Sequence, residues 1–333
     1  MRLLVLGGTA WLGGTVAATA LREGHEVTCL ARGETGKVPA GATHVVADRA
    51  RPDAYADVAG RDWDAVVDVT RQPGQARDAA RALRDRAAHV VLVSSASVYA
   101  DHATPGQDES APLLPELDSD VMETMESYGE AKVACERHVA EAFGADRCMV
   151  VRAGLIAGPG DTSDRTGYWP LRFARPAADD GSVLVPDAPG VGAQVVDVRD
   201  LAAWIVASAA ARRPGVFNAI GESMPLAEHL EVAREVGRHD GPLVEVDQEW
   251  LLAHDVEPWA GSRSLPLWLP LPEYAGFSTR DTSAAEAAGL VTRPLEDTLA
   301  DTLAWELRAG AQRPRRAGLS DEAERELIAA ARS

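Results

Sequence analysis

Arg2-Leu3-Leu4-Val5-Leu6-Gly7-Gly8-Thr9-Ala10-Trp11-Leu12-Gly13-Gly14 is the stretch on which the fold turns. Leu3 to Leu6 form a short apolar run that ends at two glycines, the mark of a strand buried on both faces. A helical pattern then runs to Arg22, and His25-Glu26-Val27-Thr28-Cys29-Leu30-Ala31-Arg32 reads as a second strand. Strand, glycine loop, helix and strand in this order are the setting in which Gly7-x-x-Ala10-x-x-Gly13 makes a dinucleotide site. The glycines allow a tight turn and close backbone approach. The helix start offers free N–H groups and partial positive charge to a pyrophosphate. An acid at the end of the second strand would hold the ribose hydroxyl of NAD; Ala31 and Arg32 stand there instead, which favours NADP(H) over NAD(H).

The alternation continues for 150 residues. Thr43–Ala47 reads as a strand ending at Asp48-Arg49, placed to touch an adenine, and Ala65–Val69 as another, ending at Thr70-Arg71. A helix is expected over 74–87, a strand at His89–Ser94 that delivers Ser95 and Ser97 at its C-terminal end, a surface loop over 100–120, a helix over 121–143 and a strand at Arg147–Arg152. Such a chain folds as an α/β Rossmann domain with a doubly wound parallel sheet. The expected division is a cofactor-binding domain over 1–157, joined again by 191–220, with 158–190 and 221–333 as a smaller, discontinuous substrate-binding subdomain and C-terminal helices.

Within the helix expected over 121–143, Tyr128 and Lys132 lie four apart and so on one face. A cation beside a phenol favours the phenolate and suits it to acid–base work near neutrality. Ser95 can hold a carbonyl or alcohol oxygen against that phenol. The alternative, an exposed face without function, is weakened by composition. The chain has five tyrosines and only two lysines, Lys37 and Lys132, so a Tyr-x-x-x-Lys match arises by chance roughly 0.03 times. Tyr168, Trp169, Trp259 and Trp268, in stretches rich in aromatic residues and proline, suggest a binding site for an apolar or ring-bearing substrate.

The net charge is −18 with scattered Lys and Arg, which argues against nucleic acid and anionic membrane as partners. No run reaches transmembrane length, and the apolar start passes into the glycine loop rather than a cleavage site. Three cysteines, Cys29, Cys135 and Cys148, sit in apolar contexts and read as reduced thiols of a cytoplasmic protein, with no metal site.

Together these stretches resemble the extended short-chain dehydrogenase/reductase family, also called the NAD-dependent epimerase/dehydratase family. The matches are the glycine loop, Ser94-Ser95-Ala96-Ser97-Val98-Tyr99, Tyr128-x-x-x-Lys132, Val150-Val151-Arg152 leading to Gly158-Pro159, and Val196-Asp197-Val198-Arg199-Asp200-Leu201-Ala202. The resemblance implies Tyr128 as general acid/base, Ser95 as the group that binds the reacting oxygen, and Lys132 as the residue that tunes Tyr128 and holds the nicotinamide ribose. It implies Gly7, Thr9, Trp11, Leu12 and Gly13 along the pyrophosphate, with Ala10 in the same loop, Arg32 at the adenosine ribose or phosphate, Asp48 at the adenine, and Val69 and Thr70 flanking the cofactor. It also implies the 121–143 helix as a surface for a homodimer. The departures are specific. Leu155 stands where members acting on nucleotide-diphosphate sugars have Asn, Ala193 where they have Arg, and Ala96-Ser97 where 4,6-dehydratases have Asp-Glu. A diphosphate without a charge-assisted partner binds poorly. Ser97 and Leu155 are therefore candidate substrate contacts. The expected activity is an NADP(H)-dependent ketone or imine reductase, or the reverse alcohol dehydrogenase, on a small uncharged metabolite. An epimerase of a sugar-like substrate is the alternative, and a non-catalytic NADP(H)-binding sensor a second one.

Overall fold

The computed structural model describes residues 1–34, 36–310 and 313–333. Its first half runs β1 (Arg2–Leu6), α1 (Trp11–Arg22), β2 (Glu26–Ala31), β3 (Thr43–Val46), α2 (Ala56–Ala59), β4 (Ala65–Asp68), α3 (Pro73–Leu83), β5 (Val90–Ser95), α4 (Tyr128–Phe143) and β6 (Cys148–Ala153). The second half begins with β7 (Leu155–Ala157), α5 (Tyr168–Ala174), β8 (Val183–Pro186), β9 (Gly192–Asp197), α6 (Val198–Ala210) and β10 (Gly215–Ala219). Seven parallel strands form the main sheet in the order β10-β6-β5-β4-β1-β2-β3. The chain direction across the sheet reverses between β1 and β4, and the crevice outside the strand ends at such a point is where this architecture binds ligands.

The apolar run of β1 is explained by its two covered faces. Leu3 and Val5 pack with Val16, Ala17 and Ala20 of α1 and Leu201 and Ile205 of α6. Leu4 and Leu6 point the other way, into a layer with Ala76 and Leu83 of α3 and Cys135 and Val139 of α4. All three cysteines are free and buried. Burial pushes the Cys29 thiol up to about 11 and those of Cys135 and Cys148 to about 12, which keeps them protonated and inert.

A second core lies beside the sheet. It gathers β8, which pairs with β12 (Leu243–Val246), together with β11 (Ser223–Pro225), α7 (Leu226–Gly237), α8 (Gln248–Ala253), β13 (Glu257–Pro258), β14 (Ser264–Leu265) and the C-terminal α10 (Leu295–Ala309) and α11 (Asp321–Ala331). The smaller α9 (Ser283–Ala287) packs on the main sheet instead, through Ala285, Ala288 and Leu290.

Two expectations change. The 191–220 segment rejoins the main sheet only from α6 onward, because β9 pairs with β7 and β11 in a separate three-stranded sheet. The helix expected over 121–143 begins at Tyr128, after a single 3-10 turn at Met125–Ser127. The preceding backbone is claimed from outside. The Met122 N–H donates to Gln72 Oε1 at 2.7 Å, and the Met122 carbonyl accepts from Gln72 Nε2 at 3.3 Å. Those groups are not available to an α-helix.

Candidate active site

The glycine loop is built for close approach at the β1/β4 crevice. Gly7 adopts φ +97°, and a Cβ there would lie 2.6 Å from Val69 Cγ2. A Cβ on Gly8 would strike the Cys29 side chain, and one on Gly13 the Gly7 carbonyl oxygen. The N-terminal N–H groups of α1 carry no side-chain cap, so they are left for an anion. Outside the loop lies a cleft of about 760 Å³ lined by Gly7, Thr9, Ala10, Arg32, Asp48, Arg49, Val69 and Thr70. The cradle fits a dinucleotide.

Three of the residues expected here turn their side chains to other partners. Leu12 packs in the main core, and Trp11 faces a neighbouring cleft, its indole N–H donating to the Pro159 carbonyl at 2.9 Å. Arg49 lines the crevice, but its guanidinium is spent. It pairs with Asp68 through two bonds of 2.7 and 2.6 Å and also donates to Tyr55 Oη and the Gln75 carbonyl. Arg49 is therefore a wall of the cleft rather than a free adenine ligand. Arg32, at the end of β2, is exposed and meets Glu34 at 3.2 Å, a contact that solvent makes weak.

A second cleft, of about 1030 Å³, shares Val69 and Arg71 with the first. Ser95, Ser97, Tyr128, Lys132 and Leu155 all line it. Ser95 arrives at the C-terminal end of β5, where its Oγ accepts from the Ser97 N–H at 3.1 Å and meets Ser97 Oγ at 3.2 Å. Tyr128 is the first residue of α4 and Lys132 stands one turn on. The Lys132 ammonium is only 3% exposed and donates to the Thr70 carbonyl at 2.5 Å and the Val93 carbonyl at 2.7 Å. It thus joins the ends of β4 and β5 while retaining a third donor. Behind Ser95, the Ser94 hydroxyl donates to Glu136, which holds Arg152 at 2.9 and 3.2 Å. Arg152 donates to Tyr99 Oη at 3.1 Å, and Tyr99 donates to Asn218 Oδ1 at 2.6 Å. This buried chain locks β5, β6 and β10 together beneath the serine.

A family model described as the NAD dependent epimerase/dehydratase family matches residues 3–219. The chain belongs to that family. It is an enzyme of the extended short-chain dehydrogenase/reductase type. No curated protein matches the sequence significantly. Among solved structures, a candidate epimerase of Burkholderia cenocepacia J2315 has TM-score 0.69 at 22% identity, over 93% of this chain and 98% of the other. UDP-N-acetylglucosamine 4-epimerase from Bacillus cereus has TM-score 0.65 at 18% identity, over 94% and 99%. UDP-glucose 4-epimerase from Thermus thermophilus, solved with NAD, has TM-score 0.65 at 16% identity, over 93% and 100%. At these identities the likeness establishes the shared fold.

Within this family member, Tyr168 and Trp169 do not face the site. Both are buried in the second core, the Trp169 indole N–H donating to the Pro266 carbonyl at 2.7 Å. Their position in α5 is set by packing against α7 and α10, a long-range fact that an aromatic pair in a sequence does not carry. The aromatic walls are Trp11, Trp259 and Phe277, and the polar ones include Arg165, Gln194 and Arg316. Trp11 carried a signal as part of the glycine loop and Trp259 as part of a Trp- and Pro-rich stretch. The two arginines sit in loops with no periodic pattern.

Proposed function

We propose that the chain is an NADP(H)-dependent oxidoreductase acting at a carbonyl, imine or secondary alcohol carbon of a small metabolite. The observation that supports it is the presence of Ser95, Tyr128 and Lys132 in one cleft whose wall, Val69 and Arg71, is also the wall of the glycine-loop cleft. A nicotinamide dinucleotide bound across both clefts supplies or accepts the hydride. The Tyr128 phenol gives or takes the proton at the substrate oxygen. The Ser95 hydroxyl, oriented by Ser97, donates to that same oxygen. Lys132, fixed on two carbonyls, turns its third N–H toward a ribose hydroxyl and its charge toward Tyr128. Arg32, with no acid in its place at the end of β2, supports the choice of NADP(H).

General acid–base groups contribute about 10²–10⁴-fold, so Tyr128→Phe is expected to lower kcat by that factor while leaving dinucleotide affinity, measured by fluorescence titration, unchanged. Full turnover in that variant would remove Tyr128 from the mechanism. Epimerisation by oxidation and re-reduction of one centre is the second reading, favoured by the epimerase designations of the structural neighbours. Leu155 and Ala193, apolar where the family's sugar-nucleotide enzymes have Asn and Arg, favour the net redox reaction. Stoichiometric consumption of NADPH distinguishes the two.

A further inference from the structure

The cleft that holds Ser95 and Tyr128 carries arginines that form no ion pair among the described residues. They are Arg165, Arg316 and Arg71. Arg71, exposed and touching only Met125 Sδ at 3.7 Å, stands at the junction with the dinucleotide cleft and belongs to either side. Arg165 and Arg316 line this cleft and not the dinucleotide cleft, together with Trp259. The Arg165 Cζ lies 4.9 Å from the Trp259 ring centroid, and its Nε donates to Ser163 Oγ at 3.2 Å. Burial holds Arg165 below the ordinary arginine value, offset in part by Asp161 and Tyr128.

The buried acids nearest these two cations are bonded to other groups. Asp161 accepts from the Ser163 N–H at 2.8 Å and the Thr166 hydroxyl at 2.9 Å. Asp164, buried and at φ +63°, is held by Arg313 and by the Arg316 N–H at 2.9 Å. In the basic run 313–316, Arg313 and Arg315 are taken up by Glu306, which leaves Arg316 to the cleft. Glu123 is the remaining acid on the lining, and it is exposed. Arg165 is half-buried and Arg316 exposed; a half-buried guanidinium without a counter-charge is costly, and on a chain of charge −18 cations gathered in a cleft mark where an anion is favoured.

We infer that Arg165 and Arg316 form a subsite for a compact anion, a carboxylate or a phosphate monoester, carried by the substrate in the cleft that holds Ser95 and Tyr128. The inference rests on the reading of this cleft as the substrate site, and it replaces an uncharged substrate with an anionic one. The anion is held by guanidinium forks, which match both groups in a planar, two-bond geometry. The residues are not those at the positions of Leu155 and Ala193, so a nucleotide diphosphate is not what they are placed to hold. The body of the substrate lies against Trp259 and Phe277, which pack edge to face at 5.1 Å.

The test is calorimetric binding to the full chain saturated with NADP⁺, with 3-phenylpropionate, phenyl phosphate and neutral 3-phenylpropanamide as probes. At least one anion is expected to bind tenfold or more tightly than the amide, and the stronger of the two names the group. Arg316→Gln, at an exposed position, is expected to abolish the preference, as is Arg165→Gln, while dinucleotide affinity stays unchanged. Equal affinity for the amide and both anions, or an anion preference that survives in both variants, overturns the subsite. Because binding needs no turnover, an anion preference in an enzyme that reduces no carbonyl compound would leave the subsite standing and remove the hydride-transfer reading alone.

Discussion

Two buried histidines make the stability of this chain depend on pH in a window that can be worked out in advance. His89 lies just before β5, the strand that ends at Ser95, and His229 lies on α7 in the second core; both are buried, and among the described residues neither has a hydrogen-bond partner for either ring nitrogen. Burial lowers each from 6.5 to about 4, with Arg212 adding to the effect at His89. Between pH 6.5 and 4 the unfolded chain takes up protons that the folded chain refuses. Stability is therefore complete above pH 6.5 and falls as the pH drops toward 4. Each pH unit inside the window costs about 1.4 kcal/mol per group, so each histidine removes about 2 kcal/mol between pH 7 and 5, and the pair about 4 kcal/mol. That is a large share of the ~5–15 kcal/mol typical of a folded domain. The assay is urea unfolding at pH 7 and pH 5 for the wild type, His89→Phe, His229→Leu and the double variant, compared through midpoint and slope. Carboxylates contribute equally in all four, so the differences isolate the imidazoles. Each single variant is expected to lose about 2 kcal/mol less than the wild type on acidification. A double variant that loses as much stability as the wild type would refute the assignment of these histidines as neutral core groups.

Trp169→Ala is expected to cost about 3–5 kcal/mol in urea unfolding with KM unchanged at a temperature where the variant stays folded; a large KM effect would return Trp169 to the substrate site. Gly13→Ala drives a methyl group into the Gly7 carbonyl; a loss of about 1–3 kcal/mol in stability and a lower dinucleotide affinity are expected by thermal unfolding with and without NADP⁺. Arg32→Asp is expected to shift the NADPH/NADH ratio of kcat/KM toward NADH by at least about tenfold, the equivalent of one charge-assisted hydrogen bond. An unchanged ratio would mean that the Arg32 contact with Glu34 survives cofactor binding.

What could be read in the sequence and what could not divide along a physical line. The main sheet is legible because a parallel strand covered on both faces must be apolar at every position, and Leu3 to Leu6 or Val90 to Val93 satisfy that locally. Ser95, Tyr128 and Lys132 are legible for a related reason: each is carried at a fixed place on a regular element, one at a strand end and two at one turn's separation on a helix. The residues that escaped are those whose partners are remote. Arg49 reads as a free basic group after β3, yet Asp68, 19 residues on, consumes it. The start of α4 shifts because Gln72 holds Met122 from 50 residues away. Arg316 owes its position to the carboxylate of Asp164, 152 residues earlier, and its freedom to Glu306, which occupies its two arginine neighbours. The same distinction explains why the chemistry of the cleft is easier to name than its substrate. Proton and hydride transfer need a few groups at spacings that one helix and one strand end provide. The charges of the loops that line the cleft become available or unavailable only once the chain has closed on itself, so the sequence favours an uncharged substrate while the folded cleft presents two arginines that form no ion pair among the described residues.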